Sequence, residues 1–488
     1  MGRKKGSPTV DFGVVLRVLS LLIIIEAAAM TPSLGMAVYY GEGDITAFVV
    51  SIAVTLLVGL VGYRLAPRGG VVRYREGFMI VGMGWVLASL FGMLPFLLYG
   101  TFGSVVDAFF ETVSGFTTTG ATVLQDIESQ PHGILFWRAL THWLGGMGIL
   151  VLALAILPAV GLGTFQIFRS ESPGPMPGKL VPRVGRTAQI LYTIYVVLTL
   201  VQMAALRAAG MDWFDAVTHA FATMGTGGFS TKNANIGAFA NPAVQWVISL
   251  FMLLASINFS LYYELLMGNG RSLLRDEELR LFLAVVIISV LAVAVNIRGL
   301  YLSAGEALRN AVFHVLSIIS TSGFVASDYE QWPELSRAII FLLTFLGACA
   351  GSTGGGIKQI RIVIVLKYVR RALHRLIHPQ AVIPVRVNGR AVADQVVNNV
   401  LGFLVAYGLL FVLFALTLLT QGMDLISSSS AVASALSNVG PGFAMVGPTT
   451  TFAGLTDLAK LVLCAAMILG RLEIFTILVM LVPAFWEG

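Results

Sequence analysis

The sequence predicts an all-α polytopic membrane protein of ten transmembrane helices, with two leading helices followed by four pseudo-symmetric helix–pore-loop–helix repeats. Three observations carry this. The 488-residue chain is 57% hydrophobic and only 11% charged, with a mean hydropathy of +0.86, whereas a soluble domain carries roughly a quarter of its residues charged. Ten long apolar runs follow one another along the chain. Four short segments, each ending in a glycine signature, sit at matching places between them.

The runs fall near 12–30, 45–66, 77–99, 134–158, 187–209, 243–265, 280–298, 337–370, 396–420 and 456–483. Each is long enough to cross a hydrocarbon core of about 30 Å at about 1.5 Å per residue. Arg3, Lys4 and Lys5 precede the first run and no small-residue cleavage site follows it, so it reads as an anchor rather than a signal peptide. With both termini cytoplasmic, alternate loops carry Arg64, Arg68, Arg73 and Arg75; Arg169, Lys179, Arg183 and Arg186; Arg271, Arg275 and Arg280; and Lys367, Arg370, Arg371 and Arg375. The opposite loops hold Glu42, Asp44, Asp126, Glu128, Asp328 and Glu330, as the positive-inside rule requires. The net charge of +6 therefore marks membrane orientation and not a nucleic-acid partner. Cys349 and Cys464 lie in apolar runs and outline no disulfide framework.

The repeat boundaries drawn from these runs are an N-terminal pair over 1–75 and pore repeats over 76–160, 161–270, 271–380 and 381–488. The signatures are Thr118-Thr119-Gly120, Thr226-Gly227-Gly228, Thr321-Ser322-Gly323 and Asn438-Val439-Gly440. Thirteen residues before each glycine stands a residue of N-cap type: Asp107, Asp215, Asn310 or Ser427. The interval has room for roughly ten helical residues, about 15 Å, which is half a bilayer. Such segments enter and return on one side, and irregular backbone at membrane depth is tolerated only where protein buries it or it lines a water-filled cavity. Any one signature is explained by a glycine turn closing a helix. Four at one offset in matching slots point to one cavity on a pseudo-fourfold axis. A ring of carbonyls from four equivalent loops is how a potassium-type filter is built. The helix C-termini would aim partial negative charge at a cation, glycine would turn carbonyls toward the axis, and the Thr hydroxyls could add ligands. The twelve signature residues are therefore the candidate ion ligands, with the ion as permeant and no bound cofactor.

Two further features stand out. The run 337–370 is too long for one crossing and contains Gly351, Ser352, Thr353, Gly354, Gly355 and Gly356. Glycine weakens a helix interior by about 1 kcal/mol per residue, so the helix is expected to break there, either as a mobile gate or as a close-packing site for small residues. Lys358 follows this glycine run, but Gly-Lys-Ser/Thr is absent, which sets aside a phosphate loop. Arg471 is placed in mid-helix as the only strong positive charge at its depth, either as a barrier beside that loop or in a structural role with Glu473 or backbone carbonyls. Glu26 and Glu111 read as structural. A secondary transporter of a small organic substrate would show a twofold inverted repeat. An intramembrane enzyme finds no support in His142, His219 and His314, which lack metal-ligand spacing.

Ser114-Gly115-Phe116-Thr117-Thr118-Thr119-Gly120-Ala121-Thr122 resembles the first pore loop of TrkH-type subunits of bacterial potassium uptake systems, in the superfamily of Trk, Ktr and plant HKT transporters. Trp143-Leu144-Gly145-Gly146-Met147-Gly148, Gly227-Gly228-Phe229-Ser230-Thr231, Gly351-Ser352-Thr353-Gly354-Gly355-Gly356 and Gly470-Arg471-Leu472-Glu473 extend the resemblance over nearly the whole chain. It implies potassium uptake at a bacterial cytoplasmic membrane and a homodimer with one pore per protomer. It also implies gating by the glycine-rich loop and a cytosolic TrkA-like nucleotide-binding partner. Glycine at all four filter positions, as at Gly120, Gly228, Gly323 and Gly440, goes with potassium preference in that family. The second loop, Gly225-Thr226-Gly227-Gly228, is richer in glycine than the family pattern.

Overall fold

The computed structural model describes residues 10–67, 69, 72–148 and 184–487. Helix α1 (Phe12–Ala29) starts at Asp11, whose carboxylate accepts from the amides of Gly13 and Val14. It runs almost directly into α2 (Thr31–Tyr40), which Gly41 ends in a left-handed conformation. Helix α3 (Ile45–Leu65) lies against α1, where a Cβ on Gly59 or Gly62 would collide with Ile24 or Ser20. Small residues admit this close approach, as in many membrane helix pairs.

Then follow α4 (Tyr74–Gly92), α5 (Leu94–Tyr99), α6 (Val105–Phe116), α7 (His132–Gly146), α8 (Val184–Ala208), α9 (Trp213–Met224), α10 (Pro242–Ser256), α11 (Phe259–Leu266), α12 (Gly270–Arg275) and α13 (Glu277–Ile297). The chain continues through α14 (Ala304–Ile319), α15 (Glu334–Phe345), α16 (Gln359–Ile377), α17 (Asp394–Thr420), α18 (Leu425–Ser437), α19 (Asp457–Arg471) and the short α20 (Phe475–Leu478). A small antiparallel hairpin pairs β1 (Arg386–Val387) with β2 (Arg390–Ala391). Its turn, Asn388-Gly389, takes positive φ at both residues, as a tight hairpin turn demands.

Among the described residues six helical stretches are long and apolar enough to cross a membrane, and two bent pairs pass the same test when each is taken as one span. Pro242–Ser256 meets Phe259–Leu266 at 90°, and Asp457–Arg471 meets Phe475–Leu481 at 105°. The run expected over 134–158 is described only to residue 148, and the basic residues Arg169, Lys179 and Arg183 lie outside the described residues.

The short helices α6, α9, α14 and α18, 12, 12, 16 and 13 residues long, stand where the four short segments were expected, directly before the glycine signatures. Each packs between the two helices that flank it and against the second helix of the preceding unit. Thus α9 also touches α7, α14 touches α10, and α18 touches α15. The circle closes where α6 packs on α19.

The predicted caps need correction. Asp107, Asp215 and Ser427 lie in the first helical turn and Asn310 lies further inside. The caps are Ser104, Asp212, Ser303 and Asp424, whose side-chain oxygens accept from amides two or three residues on. The first turn favours carboxylates as well, through its exposed N–H groups and the helix dipole, so composition alone misplaces the start by a turn. Asp107 instead pairs with Lys460 at 2.6 Å, and Asp215 accepts from Thr231 at 2.6 Å.

Candidate functional site: four pore loops and the loop beneath them

All four short helices end in the same way. The first signature residue is left-handed in each, with φ of 56° at Thr118, 55° at Thr226, 60° at Thr321 and 56° at Asn438. Its amide donates three residues back, as Thr118 to Gly115 and Thr226 to Thr223. The next amide donates five back, as Thr119 to Ser114 and Gly227 to Ala222. Thr321, Ser322, Asn438 and Val439 repeat the pattern, which is the Schellman helix end. Glycine is the usual occupant of that left-handed position, and a β-branched residue there costs about 1–2 kcal/mol. Three threonines held in it mark a site whose geometry the surrounding packing imposes.

The closing glycines are left-handed as well, and they join the loops into a ring. A Cβ on Gly120 would fall on the carbonyl oxygen of Gly227, one on Gly228 on that of Ser322, and one on Gly323 on that of Val439. A Cβ on Gly440 would lie 2.6 Å from the carbonyl oxygen of Thr119. All four distances are below what real Cβ atoms show, and the obstruction is backbone, which cannot swing aside. Beyond the ring the four glycines open on one cavity of about 180 Å³, shared with Lys232 and Asn235.

A second regularity escaped the sequence. The residue nine before the glycine props the returning strand of its own loop. Glu111 accepts from Thr122 Oγ1 at 2.8 Å and Val123 N at 2.9 Å. His219 Nε2 lies 2.9 Å from Ser230 Oγ, and His314 Nε2 accepts from Ala326 and Ser327 at 3.3 Å each. In the fourth loop Ala431 stands there, and Ser430 accepts from Phe443 N at 2.9 Å instead. The shared offset was the available signal. Glu111 also binds buried Arg138 at 2.6 Å, and Arg138 Nη1 reaches Ser230 O at 3.0 Å, tying the first loop to the second. No group of three metal-ligating side chains exists among the described residues.

The helix break in 337–370 is wider than the glycine run. Helix α15 ends at Phe345 and α16 begins at Gln359, leaving residues 346–358 as a largely buried loop. Left-handed Gly351 and Gly356 turn the chain. The loop lies under the C-terminal ends of α14 and α18: a Cβ on Gly354 would meet Ser320 O, and one on Gly355 would meet Ser437 O. Gly355 N donates to Thr321 Oγ1 at 2.7 Å. Glu278, at the start of α13, accepts from Ala350 N at 2.6 Å and Ile360 N at 2.9 Å, clasping both limbs of the loop. Thr353 bonds Ala255 O at 3.2 Å, and Phe259 N donates to Gly351 O at 3.0 Å across the kink between α10 and α11.

Arg471 ends α19 rather than lying mid-helix, because Glu473 and Ile474 both take positive φ and bend the chain there. Its guanidinium donates to Thr118 Oγ1 at 3.2 Å, Thr353 O at 2.9 Å and Gly146 O at 2.8 Å, and also to Gly145 O. It therefore satisfies backbone carbonyls and stands between the ring and the loop at once. Glu473 pairs with Arg361 instead. Arg471 is not the sole deep cation: Lys358, which donates to Gly354 O, and Arg361 are buried in the same region. The signature hydroxyls are engaged too. Thr118 and Thr321 accept from Arg471 and the loop, Thr226 donates to Gly225 O at 2.6 Å, and Asn438 donates to Thr119 Oγ1 at 3.0 Å.

Residues 45–487 match the family described as TrkH, cation transport protein. The Trk system potassium uptake protein TrkH of Escherichia coli strain K12 is 39% identical over 482 residues, covering 98% of this chain and 99% of that one. Its counterpart in Halomonas elongata is 42% identical over 97% of this chain and 99% of its own. The crystal structure of the potassium transporter TrkH from Vibrio parahaemolyticus superposes with a TM-score of 0.88 at 37% identity, covering 98% of this chain and all of that one. The chain is thus an integral membrane member of the TrkH family of cation transport proteins.

Proposed function

We propose that this chain carries potassium into the cell across the bacterial cytoplasmic membrane, through one pore formed by its four loops. The observation that carries this is the closed ring, in which each filter glycine faces a carbonyl of the next loop and all four open on a shared cavity. Backbone oxygens held at fixed spacing can replace the hydration shell of a cation. Thr118 to Gly120, Thr226 to Gly228, Thr321 to Gly323 and Asn438 to Gly440 supply the potassium ligands. Residues 351–356 and Arg471 form the gate, a flexible plug backed by a positive charge on the ion path. The relatives named for potassium uptake favour this over transport of an organic substrate and over any enzymatic activity.

The chain divides into an N-terminal pair over 1–75 and pore repeats over 76–160, 161–270, 271–380 and 381–488, with both termini in the cytoplasm. It works as a homodimer with one pore per protomer. The relatives are named as parts of a Trk system, and the longest stretches of sequence between apolar runs, near 160–186 and 371–395, are too short for a nucleotide-binding domain, so nucleotide control comes from a separate TrkA-like subunit on the cytosolic side. Growth of a potassium-uptake-deficient bacterium on low potassium, with this chain and with or without that partner, tests the proposal. Rescue is expected with both, and failure with both, at normal membrane levels of the chain, would overturn it.

A further inference from the structure

The four loops share a backbone but not a side-chain chemistry, and the difference alternates around the ring. In the first and third loops two hydroxyls pair beneath the filter: Thr117 with Thr119 at 2.8 Å and Ser320 with Ser322 at 2.8 Å. The second and fourth loops carry Gly227 and Val439 at the middle position and cannot form that pair. There a side chain holds the closing glycine's carbonyl instead. Asn235 Nδ2 donates to Gly228 O at 3.1 Å, and Ser434 Oγ donates to Gly440 O at 2.7 Å. Among the described residues no hydrogen bond reaches the carbonyl of Gly120 or Gly323. Because the loops meet in chain order, the second and fourth loops stand diagonally opposite in the ring, and so do the first and third, so the held carbonyls form one diagonal pair and the free ones the other.

The origin of the alternation is visible in the helices. Six residues before the glycine stand Ser114, Ala222, Ser317 and Ser434. Ser434 reaches the glycine carbonyl, Ser317 donates one residue further on to Phe324 O at 2.6 Å, and the Ser114 hydroxyl is buried without a partner. The second loop has alanine there and takes its donor from the far side. Asn235 is left-handed, at φ 52°, and its Oδ1 accepts from Ile236 N at 2.9 Å and Val325 N at 3.3 Å. The amide is thus oriented by backbone of both the second and the third loop, which turns its Nδ2 toward Gly228 O.

We propose that Asn235 and Ser434 are positioning residues for ion preference, which hold one diagonal pair of filter carbonyls and leave Gly120 and Gly323 as the free pair. This rests on the ring being the ion filter. A carbonyl oxygen has two lone pairs, and one committed to a fixed donor is restrained and presents a weaker field to an ion. Selectivity depends on the number, field strength and mobility of such dipoles. Freeing the held pair lets all four oxygens close on a smaller cation, so preference moves toward sodium.

The test is rubidium and sodium uptake into proteoliposomes containing the full chain. Ser434→Ala and Asn235→Gly should each lower the rubidium-to-sodium ratio by about fivefold, the factor a hydrogen bond of typical net strength represents. Ser434→Thr, which keeps the hydroxyl, should restore it, and Asn235→Asp, which loses the donor but keeps the acceptor, should follow Asn235→Gly. Opposite shifts in the two Asn235 variants would make charge the cause and overturn the proposal. It also falls if Ser434→Ala and Asn235→Gly leave the ratio unchanged while Gly120→Ser lowers it. An unchanged ratio in Gly120→Ser as well would remove the filter assignment itself.

Discussion

The four glycine-closed loops and the 346–358 loop lie against each other, yet they are held by different means. The ring is a backbone structure: four identical helix ends with matching φ, and four glycines that each leave room for a neighbour's carbonyl. The loop beneath occurs once. Side chains fasten it from several elements, Glu278 on α13, Thr321 at the end of α14 and Arg471 on α19, beside backbone bonds to Ala255 on α10 and Phe259 on α11. A hydrogen bond contributes about 1 kcal/mol net, and one to a charged group about 1.5–3 kcal/mol. The side-chain contacts under the ring are therefore individually removable, whereas the ring yields only if several loops shift together. That contrast agrees with the proposed roles, the ring as selecting element and the loop beneath as barrier.

The sharpest way to break the comparison is to put a side chain into the ring. Gly120→Ser or Gly323→Ser places a Cβ on a neighbouring carbonyl at positive φ, and overpacking of that kind typically costs about 1–3 kcal/mol. The rubidium-to-sodium flux ratio should drop by about tenfold or more. An unchanged ratio in both would show that the ring's geometry does not set selection.

The lower region should respond differently. Arg471→Ala removes a charge that at low dielectric repels a cation by several kcal/mol, together with the bonds to Thr118 and Thr353. Partner-free rubidium uptake into liposomes should rise by about tenfold with the flux ratio preserved, and deletion of residues 351–356 should act in the same direction. Flux at or below the unmodified level in both, with folding intact, would favour a packing role for this segment.

Glu278→Gln is a milder cut. It turns two charge-assisted contacts at Ala350 and Ile360 into neutral ones, which are about half as strong. Basal uptake should increase by a few fold, and trypsin should cut near residues 346–358 faster. Equal rates would mean that the clasp is redundant.

The smallest effect is expected from Thr226→Gly. Its hydroxyl contacts only its own loop, at Gly225 O, so the change relieves about 1–2 kcal/mol of left-handed strain, offset in part by glycine's extra chain entropy. The melting temperature should rise slightly while selectivity holds. Thr321→Gly also loses the bond from Gly355 and should loosen the loop, which separates strain from latching.

Much of this was legible in the chain. Low charge, apolar runs and basic loops identify a membrane protein because transfer free energies act on composition and length. The glycine signatures were legible because a left-handed turn restricts residue type wherever it occurs. Their shared offset from a residue of cap type pointed to four equivalent loops, although the caps proved to lie a turn upstream in three helices and about two turns upstream in α14. The helix break was visible only as a weak helix, and its ends at Phe345 and Gln359 were not, since small residues report a break without its extent.

Contacts between distant segments were hidden. Glu278 clasping Ala350, Arg361 pairing with Glu473 and Asn235 reaching Gly228 join residues whose separation has no periodic signature. The same holds for Arg471, which looks like a mid-helix charge until the bend after it turns its guanidinium onto Thr118 and Thr353. Sequence by itself determined that four glycine-closed helix ends exist in a membrane protein, because local backbone preferences and hydrophobicity act residue by residue. Tertiary structure alone decided that these ends close into one ring with alternating side-chain donors above a loop that occurs once. Those relations depend on which groups packing brings within hydrogen-bond distance, and that distance is set by the whole fold.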